Sequence, residues 1–482
     1  MNRRIIVYMV GNIVKLEAVL LVLPLLVSLC YHELNSVNAF ALSIIIATAV
    51  GFLMTTVAKP TSKVFYAREG FIIVTFAWIF LSLLGSLPFL LSTEIPDFFD
   101  AFFETVSGFT TTGASILGDV ESMSRGILFW RSFTHWLGGM GVLVLIMAIL
   151  PSDSGRAIHI MRAEMAGPVI GKIVPKIKET AKILYFIYFV LTILEIAFLL
   201  FGGMPLFDSA VHALGTAGTG GFGIKADSIA GYSPYLQWVI TAFMVLFGVN
   251  FNLFYLLLLR KFKTVFTNRE LWFYFGIMLG AAAIITYSIY PIYQNPSDSI
   301  RHSCFQVASI VSTTGYSTAD FNCWPDLAKG VIFILMFLGG CAGSTAGGLK
   351  LSRVIIMLKA IRKDIRQLLH PRSVAVVRYE GKKLDNAVMN SVTTYFALYI
   401  LLIAATFLIL SFEPAFDVQS NLTASVTCCN NVGPGFGKVG PMEGFGAYSG
   451  FSKLILTFAM LFGRLEIYPI LLAVYPRTWT KK

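Results

Sequence analysis

Two stretches of the sequence repeat the tripeptide Thr-Thr-Gly in the same setting, at 111–113 and at 313–315, each after a short apolar run. Glycine-bearing stretches at 217–223 (AGTGGFG) and 430–437 (NNVGPGFG) follow similar runs. Glycine adopts backbone angles that other residues avoid, which lets consecutive carbonyl oxygens face the same direction. Four such loops around one axis would form rings of oxygens that replace the water shell of a cation, and threonine hydroxyls would add a further layer. The pattern therefore predicts cation coordination without an acidic ligand.

The candidate cation site draws three residues from each of four stretches, which we call pore loops 1 to 4: 110–115, 217–223, 312–317 and 430–437. An alignment on one central glycine of each loop predicts the following ligands: Thr111, Thr112 and Gly113; Gly218, Thr219 and Gly220; Thr313, Thr314 and Gly315; Asn431, Val432 and Gly433. A carbonyl-lined site of this kind is typical of potassium-type filters. Pore loop 4 departs most from Thr-Thr-Gly, so its side chains differ most from a threonine layer.

The composition is that of a membrane protein. Of the 482 residues, 56% are hydrophobic and 13% are charged, whereas soluble domains carry roughly 25% charged residues. The net charge of +11 is not concentrated on one folded domain, which argues against a nucleic-acid-binding surface. No constellation of histidine, aspartate and serine, and no metal-ligand spacing, indicates a catalytic centre. We therefore expect a protein that is not an enzyme and binds no cofactor.

Apolar runs long enough to cross a bilayer contain about 20 residues. The predicted spans are 8–30, 38–58, 70–92, 126–150, 182–202, 234–260, 271–293, 327–349, 388–411 and 451–476. Shorter apolar runs precede the pore loops, at 99–109, 207–217, 300–311 and 417–429. A short helix followed by irregular backbone at membrane depth indicates a re-entrant segment, which is tolerated only where it lines a cavity or is enclosed by protein.

The order span, short helix, pore loop, span occurs four times, which indicates an internal repeat. Each short run begins after a proline with an aspartate nearby, a helix-start signature, and each following span contains Leu-x-Gly-x. The predicted fold is all-α and polytopic, with four tandem span–pore helix–span units around one pseudo-fourfold central pore. The predicted segments are a transmembrane helix pair at 1–60, pore units at 61–150, 151–263 and 264–360, and a cytoplasmic basic segment with the fourth pore unit at 361–482.

Lysine and arginine are concentrated in alternate connecting segments, whereas the segments between them are acidic. The positive-inside rule therefore predicts that both termini are cytoplasmic and that the short helices enter from outside. The basic stretch 350–383 carries ten lysine or arginine residues and is partly amphipathic. Its pattern fits either docking of a cytosolic subunit or contact with lipid head groups.

The run FLGGCAGSTAGGLK, at 337–350, is too rich in glycine to be a favourable helix. Close packing of helices through small residues would use the same composition. We favour a broken helix that forms a movable barrier beneath the pore loops. The residues predicted for this gate are Gly339, Gly340, Gly343, Ser344, Thr345, Gly347 and Gly348.

Arg464 lies in the otherwise apolar run LTFAMLFGRLEIYPILL. A cation at membrane depth is costly unless it faces water or a partner. The aligned repeats place Met140, Val249 and Cys341 at its position, so that one charge would face three uncharged side chains. We interpret Arg464 as an electrostatic barrier to permeating cations, and the alternative is a structural ion pair with Glu466.

The motifs TVSGFTTTGAS, HWLGGMG, STTGYS, GSTAGGLK, NNVGPG and GRLEIYP resemble those of TrkH-type potassium translocation subunits of the Trk/Ktr/HKT superfamily. The resemblance extends from about residue 60 to the end of the chain, and the N-terminal helix pair favours the Trk branch. It implies one central potassium pore per chain, a homodimer in the bacterial cytoplasmic membrane, and a cytoplasmic nucleotide-binding regulatory subunit (TrkA-like). It also implies an intramembrane gate in the third unit.

These observations predict potassium translocation across the bacterial plasma membrane through a channel-like pore that is gated from the cytoplasmic side. The alternative is a symporter that couples potassium to H⁺ or Na⁺. Candidate relay groups in the predicted spans, which would be packed or interfacial groups in a channel, are Lys15, Glu17, Arg131, His135 and Glu195.

Overall fold

The structure, a computed structural model, describes residues 1–60, 66–141, 177–372 and 376–480. Within these residues the regular structure is helical apart from one antiparallel strand pair, Arg378–Tyr379 with Lys382–Lys383. The predicted unit boundary at 150–151 lies outside the described residues, as does the end of the predicted span 126–150.

The helices fall into an N-terminal segment and four further segments, which we call units 1 to 4. The N-terminal segment contains Arg3–Leu20, Val22–Cys30 and Leu34–Val57. Unit 1 contains Ala67–Gly85, Leu87–Leu91, Phe98–Phe109 and Arg125–Gly139. Unit 2 contains Ile177–Phe201, Leu206–Gly218, Pro234–Phe247, Phe251–Leu258 and Phe262–Phe266. Unit 3 contains Arg269–Tyr293, Pro296–Val311, Asp326–Leu335 and Leu351–Leu369. Unit 4 contains Asn386–Leu410, Val418–Asn430, Gly450–Arg464 and Tyr468–Val474, and short 3₁₀ turns lie at Phe321–Cys323, Gly437–Val439 and Pro476–Thr478.

Each unit contains one short helix that is buried along most of its length, close to the run predicted for it. The side chain of Asp97 caps the first short helix by accepting from the Asp100 amide (3.0 Å), and Asp417 caps the fourth in the same way. Asn295 takes this role in unit 3, and Pro205 precedes the helix of unit 2 without a side-chain cap. The aspartate predicted at each helix start therefore caps the helix in units 1 and 4 and does not cap it in units 2 and 3. These buried helices bring the pore loops to the centre of the molecule.

The helix that follows each pore loop is shorter than predicted. Among the described residues, six helices are long and apolar enough to cross a membrane, and one bent pair passes the same test together. The four helices after the pore loops have 15, 14, 10 and 15 residues, fewer than the ~20 that a span requires. The prediction of ten continuous spans is therefore wrong for 234–260, 327–349 and 451–476, each of which is interrupted.

In unit 2, the predicted span 234–260 bends by 91° between two helices. The Gly248 carbonyl accepts a hydrogen bond from the Cys341 amide (2.9 Å), and the Phe251 amide donates to the Gly343 carbonyl (3.0 Å). The Asn250 side chain caps the second helix. Backbone groups released by the break therefore find partners in the glycine-rich segment of unit 3, as backbone at membrane depth must.

In unit 4, the predicted span 451–476 is interrupted after Arg464. Glu466 and Ile467 have φ angles of 60° and 63°, which a helix does not allow. The break turns Glu466 toward Arg353, with which it forms an ion pair (2.5 Å). The carboxylate considered as the partner of Arg464 therefore pairs with the helix Leu351–Leu369 instead.

Close backbone packing shows which positions of units 1 and 4 are equivalent. A side chain at Gly138 would clash with the carbonyl of Phe109, and one at Gly463 would clash with that of Cys429. Phe109 and Cys429 each lie two residues before the left-handed residue that ends the short helix. The first-unit counterpart of Arg464 is therefore Gly139, and the earlier alignment with Met140 is one residue too far along the chain.

Candidate functional site: the pore loops and the glycine-rich loop

The four short helices end in the same backbone motif. The amide of Thr111 donates to the carbonyl of Gly108 (3.1 Å), and that of Thr112 donates to Ser107 (2.9 Å). This pair of bonds, with a left-handed residue just past the helix, is a Schellman motif. The same bonds recur at Thr219 and Gly220, at Thr313 and Thr314, and at Asn431 and Val432.

The left-handed residues are threonine in three loops and asparagine in the fourth, with φ angles between 54° and 59°: Thr111, Thr219, Thr313 and Asn431. A β-branched residue in this region is an outlier that costs ~1–3 kcal/mol. Glycine would remove that strain, so the threonines point to a use for the hydroxyl groups. The Thr313 hydroxyl accepts from the Gly347 amide (2.7 Å), whereas the buried Thr111 Oγ1 has no hydrogen-bond partner among the described residues.

Two residues after each left-handed residue, a glycine has a positive φ angle. The four glycines are Gly113, Gly221, Gly315 and Gly433, with φ of 75°, 82°, 86° and 98°. The alignment on Gly220 was therefore wrong by one residue, and Gly218 occupies the position of Thr110, which is outside the ligand set predicted for pore loop 1. An alignment on Thr219, rather than on a glycine, would have found the correct register.

The four pore loops contact one another in a closed ring. A side chain at Gly113 would clash with the carbonyl of Gly220, and one at Gly221 would clash with that of Thr314. In the same way, a side chain at Gly315 would clash with the carbonyl of Val432, and one at Gly433 would clash with the carbonyl of Thr112. Each loop thus meets the next one, and loop 4 returns to loop 1. Glycine is required at these positions both by φ and by the close approach of the neighbouring backbone.

One cavity opens on the side of the ring toward which the chain runs after the four glycines. It has a volume of about 460 Å³, and all four positive-φ glycines line it, together with Arg131, Lys225 and Glu443. The cavity therefore leads directly to the ring. We call it the vestibule.

A buried ion pair holds pore loops 1 and 2 together behind the vestibule. The Arg131 guanidinium contacts the Glu104 carboxylate at 2.7 Å, and their side chains are 2% and 0% exposed. Glu104 also accepts from the Ser115 hydroxyl and the Ile116 amide, both at 3.0 Å, and Arg131 donates to the Gly223 carbonyl (3.2 Å). The pair thus fixes the chain that leaves both loops, which gives Arg131 a place in the loop scaffold.

His135 connects the short helix of unit 1 to pore loop 2. Its Nδ1 lies 2.7 Å from the Gly108 carbonyl, and its Nε2 accepts from the Phe222 amide (3.2 Å). These partners require the proton on Nδ1, because a carbonyl only accepts and an amide only donates. His135 is therefore a second scaffold residue, which sequence reasoning had left among the candidate relay groups.

On the opposite side of the ring lies the glycine-rich loop, residues 339–350, which is not helical. Its amide at Gly347 reaches Thr313 in pore loop 3, and a side chain at the same glycine would meet Asn431 of pore loop 4. The Thr345 hydroxyl donates to the Phe247 carbonyl of unit 2 (3.2 Å). The residues predicted for the gate therefore lie together and contact units 2, 3 and 4.

Arg464 joins the glycine-rich loop to unit 1. Its Nη1 donates to the Thr345 carbonyl (2.9 Å), and its Nη2 donates to the carbonyls of Gly138 (2.6 Å) and Gly139 (2.7 Å). The latter carbonyls end a helix, where the partial negative charge favours a cation. The guanidinium thus combines a positive charge with a bridge between three units.

The chain matches a family of cation transport proteins over most of its length. A family model named TrkH and described as a cation transport protein matches residues 32–480. The chain is 35% identical to the Trk system potassium uptake protein TrkH of Salmonella typhimurium, over 99% of this chain and 100% of the relative. It is 34% identical to the Trk system potassium uptake protein TrkG of Escherichia coli, over 97% of both chains.

The crystal structure of the potassium transporter TrkH from Vibrio parahaemolyticus superposes with a TM-score of 0.88, at 30% identity over 100% of both chains. The chain therefore belongs to the TrkH family of cation transport proteins. The resemblance seen in the motifs and the predicted helical membrane fold are both confirmed.

The Glu104–Arg131 pair yields a test of the scaffold. Arg131→Met leaves the Glu104 carboxylate buried without its cation, which should lower the free energy of unfolding by ~3–5 kcal/mol. The double variant Arg131→Met, Glu104→Gln should recover part of the loss. Denaturant unfolding of the purified protein measures both. Lys182→Met is the matched control, because Lys182 pairs with Glu179 at the surface and its loss should change stability by less than ~1 kcal/mol. Equal unfolding midpoints for Arg131→Met and Lys182→Met would contradict the scaffold role.

Proposed function

We propose that this chain translocates potassium across the bacterial cytoplasmic membrane through a channel-like pore enclosed by the four pore loops. The observation that carries the proposal is the closed ring of glycine–carbonyl contacts between consecutive loops. Support for potassium as the substrate comes from the relatives, which are named potassium uptake proteins of the Trk system. Potassium is the transported ion in this proposal, and no cofactor takes part.

The ligands in this proposal are backbone carbonyls and threonine hydroxyls at 111–113, 219–221, 313–315 and 431–433. The short helices end at the loops, so their partially negative C-terminal ends favour a cation at the ring. The unpartnered Thr111 hydroxyl supports a further oxygen ligand on the side of the ring that faces the glycine-rich loop. Asn431 donates from Nδ2 to the Thr112 hydroxyl (2.9 Å) and thereby supports the junction of loops 4 and 1.

The glycine-rich loop is the gate in this proposal, and Arg464 is both its anchor and an electrostatic barrier. Support comes from the contacts of the loop with Thr313 on one side and with Arg464 on the other. Opening would require these bonds to exchange for bonds to water. A cytoplasmic nucleotide-binding subunit (TrkA-like) would control this step by acting on the basic stretch 350–383. We further propose a homodimer with both termini in the cytoplasm.

Flux into liposomes tests the function. Purified protein should carry potassium down its electrochemical gradient, with no requirement for a proton or sodium gradient. A strict requirement for either gradient would instead establish symport, the second candidate function. Absence of potassium flux in protein that folds normally would reject both.

The ratio of sodium to potassium flux tests whether the ring of pore loops selects the ion. Gly315→Ser introduces a side chain against the Val432 carbonyl at a φ of 86°, so the ring must distort. The ratio of sodium to potassium flux should rise by roughly tenfold, which corresponds to ~1.4 kcal/mol between the two ions. Gly118→Ser is the control, because it also lies in the vestibule wall but has open space for a side chain. Wild-type selectivity in Gly315→Ser would show that the ring is not the selective element.

Substitutions at Arg464 test whether its charge is an electrostatic barrier to potassium. A unit charge ~6 Å from a permeating ion costs roughly 2–3 kcal/mol at an effective dielectric near 20. Arg464→Ala should therefore raise potassium flux per molecule by about 30- to 150-fold and leave the sodium-to-potassium ratio nearly unchanged. Arg464→Lys should fall between Ala and wild type, because it keeps the charge but cannot reproduce the guanidinium bonds to three carbonyls. If both variants fold poorly and neither raises flux per molecule, Arg464 is only structural.

A further inference from the structure

One carboxylate connects the glycine-rich loop to the cytoplasmic strand pair. Glu270 lies in the first turn of the first helix of unit 3 and is 3% exposed. Its Oε1 accepts from the Ala342 amide of the glycine-rich loop (2.8 Å), and its Oε2 accepts from the Tyr379 hydroxyl (3.0 Å). The two oxygens of a single side chain thus bind two segments that are far apart in the sequence.

The strand pair that supplies Tyr379 is a compact hairpin. Its strands, Arg378–Tyr379 and Lys382–Lys383, are joined by Glu380 and Gly381, with φ angles of 50° and 77°. Positive φ at both turn residues is the requirement of a type I′ turn, which suits a tight antiparallel hairpin. The hairpin therefore holds the Tyr379 ring in a defined position.

The hairpin is attached to the helix that continues from the glycine-rich loop. Lys359 of the helix Leu351–Leu369 donates to the Arg378 carbonyl (2.8 Å). An apolar cluster joins the same two elements, with Tyr379 packed among Ile355 and Ile356. Asn268, just before Glu270, donates to the Glu380 carboxylate (2.7 Å). Motion of the hairpin is thus coupled to the middle of the loop through Glu270 and to its end through this helix.

We propose that Glu270 is a positioning residue that holds the glycine-rich loop in its closed arrangement, and that the Tyr379 hydroxyl locks Glu270 in place from the cytoplasmic side. The inference rests on the proposed function of the loop as a gate. The hairpin at 376–385 is then the element through which a change at the cytoplasmic face releases the loop.

The chemistry of the Glu270 carboxylate, the Ala342 amide and the Tyr379 hydroxyl explains why loss of the hydroxyl would release the loop. A buried carboxylate needs several donors, and bonds to a charged acceptor are stronger than neutral ones. Burial, with the nearby Glu270 charge as a second cause, raises the pKa of Tyr379 above its ordinary range, so the hydroxyl keeps its proton and remains a donor. Withdrawal of this donor leaves Glu270 underpartnered and frees its side chain to turn away from Ala342 toward other donors.

The test compares single and double variants. Tyr379→Phe removes one oxygen, and Glu270→Ala removes the carboxylate together with both of its hydrogen bonds. Two quantities are measured in full-length protein without any partner: hydrogen–deuterium exchange of the amides at 339–350, and potassium flux per molecule in liposomes. Both should rise, flux by roughly tenfold, with an unchanged sodium-to-potassium ratio. The double variant should equal Glu270→Ala alone, because the two groups act through one connection.

Two further variants keep the test decisive. Tyr448→Phe removes another buried hydroxyl, which donates to Asn421 Oδ1 (2.8 Å), and should leave loop exchange and flux unchanged. Asn268→Asp retains the oxygen that caps the helix through the Leu271 amide but repels Glu380, so it should loosen the hairpin and increase loop exchange.

Exchange and flux separate the two proposals. If loop exchange rises in Tyr379→Phe but even the wild type carries no potassium, the lock is supported and the proposed function fails. If the wild type carries potassium but loop exchange in Tyr379→Phe and Asn268→Asp equals that of the wild type, the lock is overturned and the proposed function remains. Additive effects in the double variant would also overturn the lock.

Discussion

The contact between each pore-loop glycine and the carbonyl of the next loop is the constraint on which the rest of the structure depends. Four backbones approach closely enough to exclude a Cβ atom, as at Gly113 and Gly315. Such an approach requires that each short helix end at the same depth with the same left-handed turn. The caps of the short helices, the buried Glu104–Arg131 pair and the bridging His135 all maintain that approach.

Backbone strain at the ends of the short helices links the ring to the glycine-rich loop. Threonine at positive φ is unfavourable, yet Thr313 uses its hydroxyl to accept the Gly347 amide. On the far side of the loop, Arg464 reaches the Thr345 carbonyl and the end of a helix in unit 1. The loop is therefore held by hydrogen bonds to several units, and its Cys341 and Leu349 side chains also lie in the apolar core. Opening of the loop therefore requires these hydrogen bonds to exchange and these two side chains to leave their apolar contacts.

The short helices and pore loops could be predicted from the sequence because their signals are local: a proline or aspartate start, an apolar run and a glycine. The register of pore loop 2 was missed because Gly220 and Gly221 are adjacent and the glycines alone do not decide which has positive φ, although Thr219 carried the signal. The break in 234–260 was also hidden, because its partners, Cys341 and Gly343, lie far away in the sequence. The carbonyl partners of Arg464 come from separate units and leave no local pattern.

The most direct test of the ring is an experimental structure of the protein in rubidium chloride, with the ion located by its anomalous scattering. Rubidium is close to potassium in size and charge, so it should occupy the site that potassium uses. The account predicts a rubidium peak on the axis of the ring, enclosed by backbone oxygens from 111–113, 219–221, 313–315 and 431–433. Rubidium found only beside vestibule carboxylates such as Glu443, with none at the ring, would contradict it.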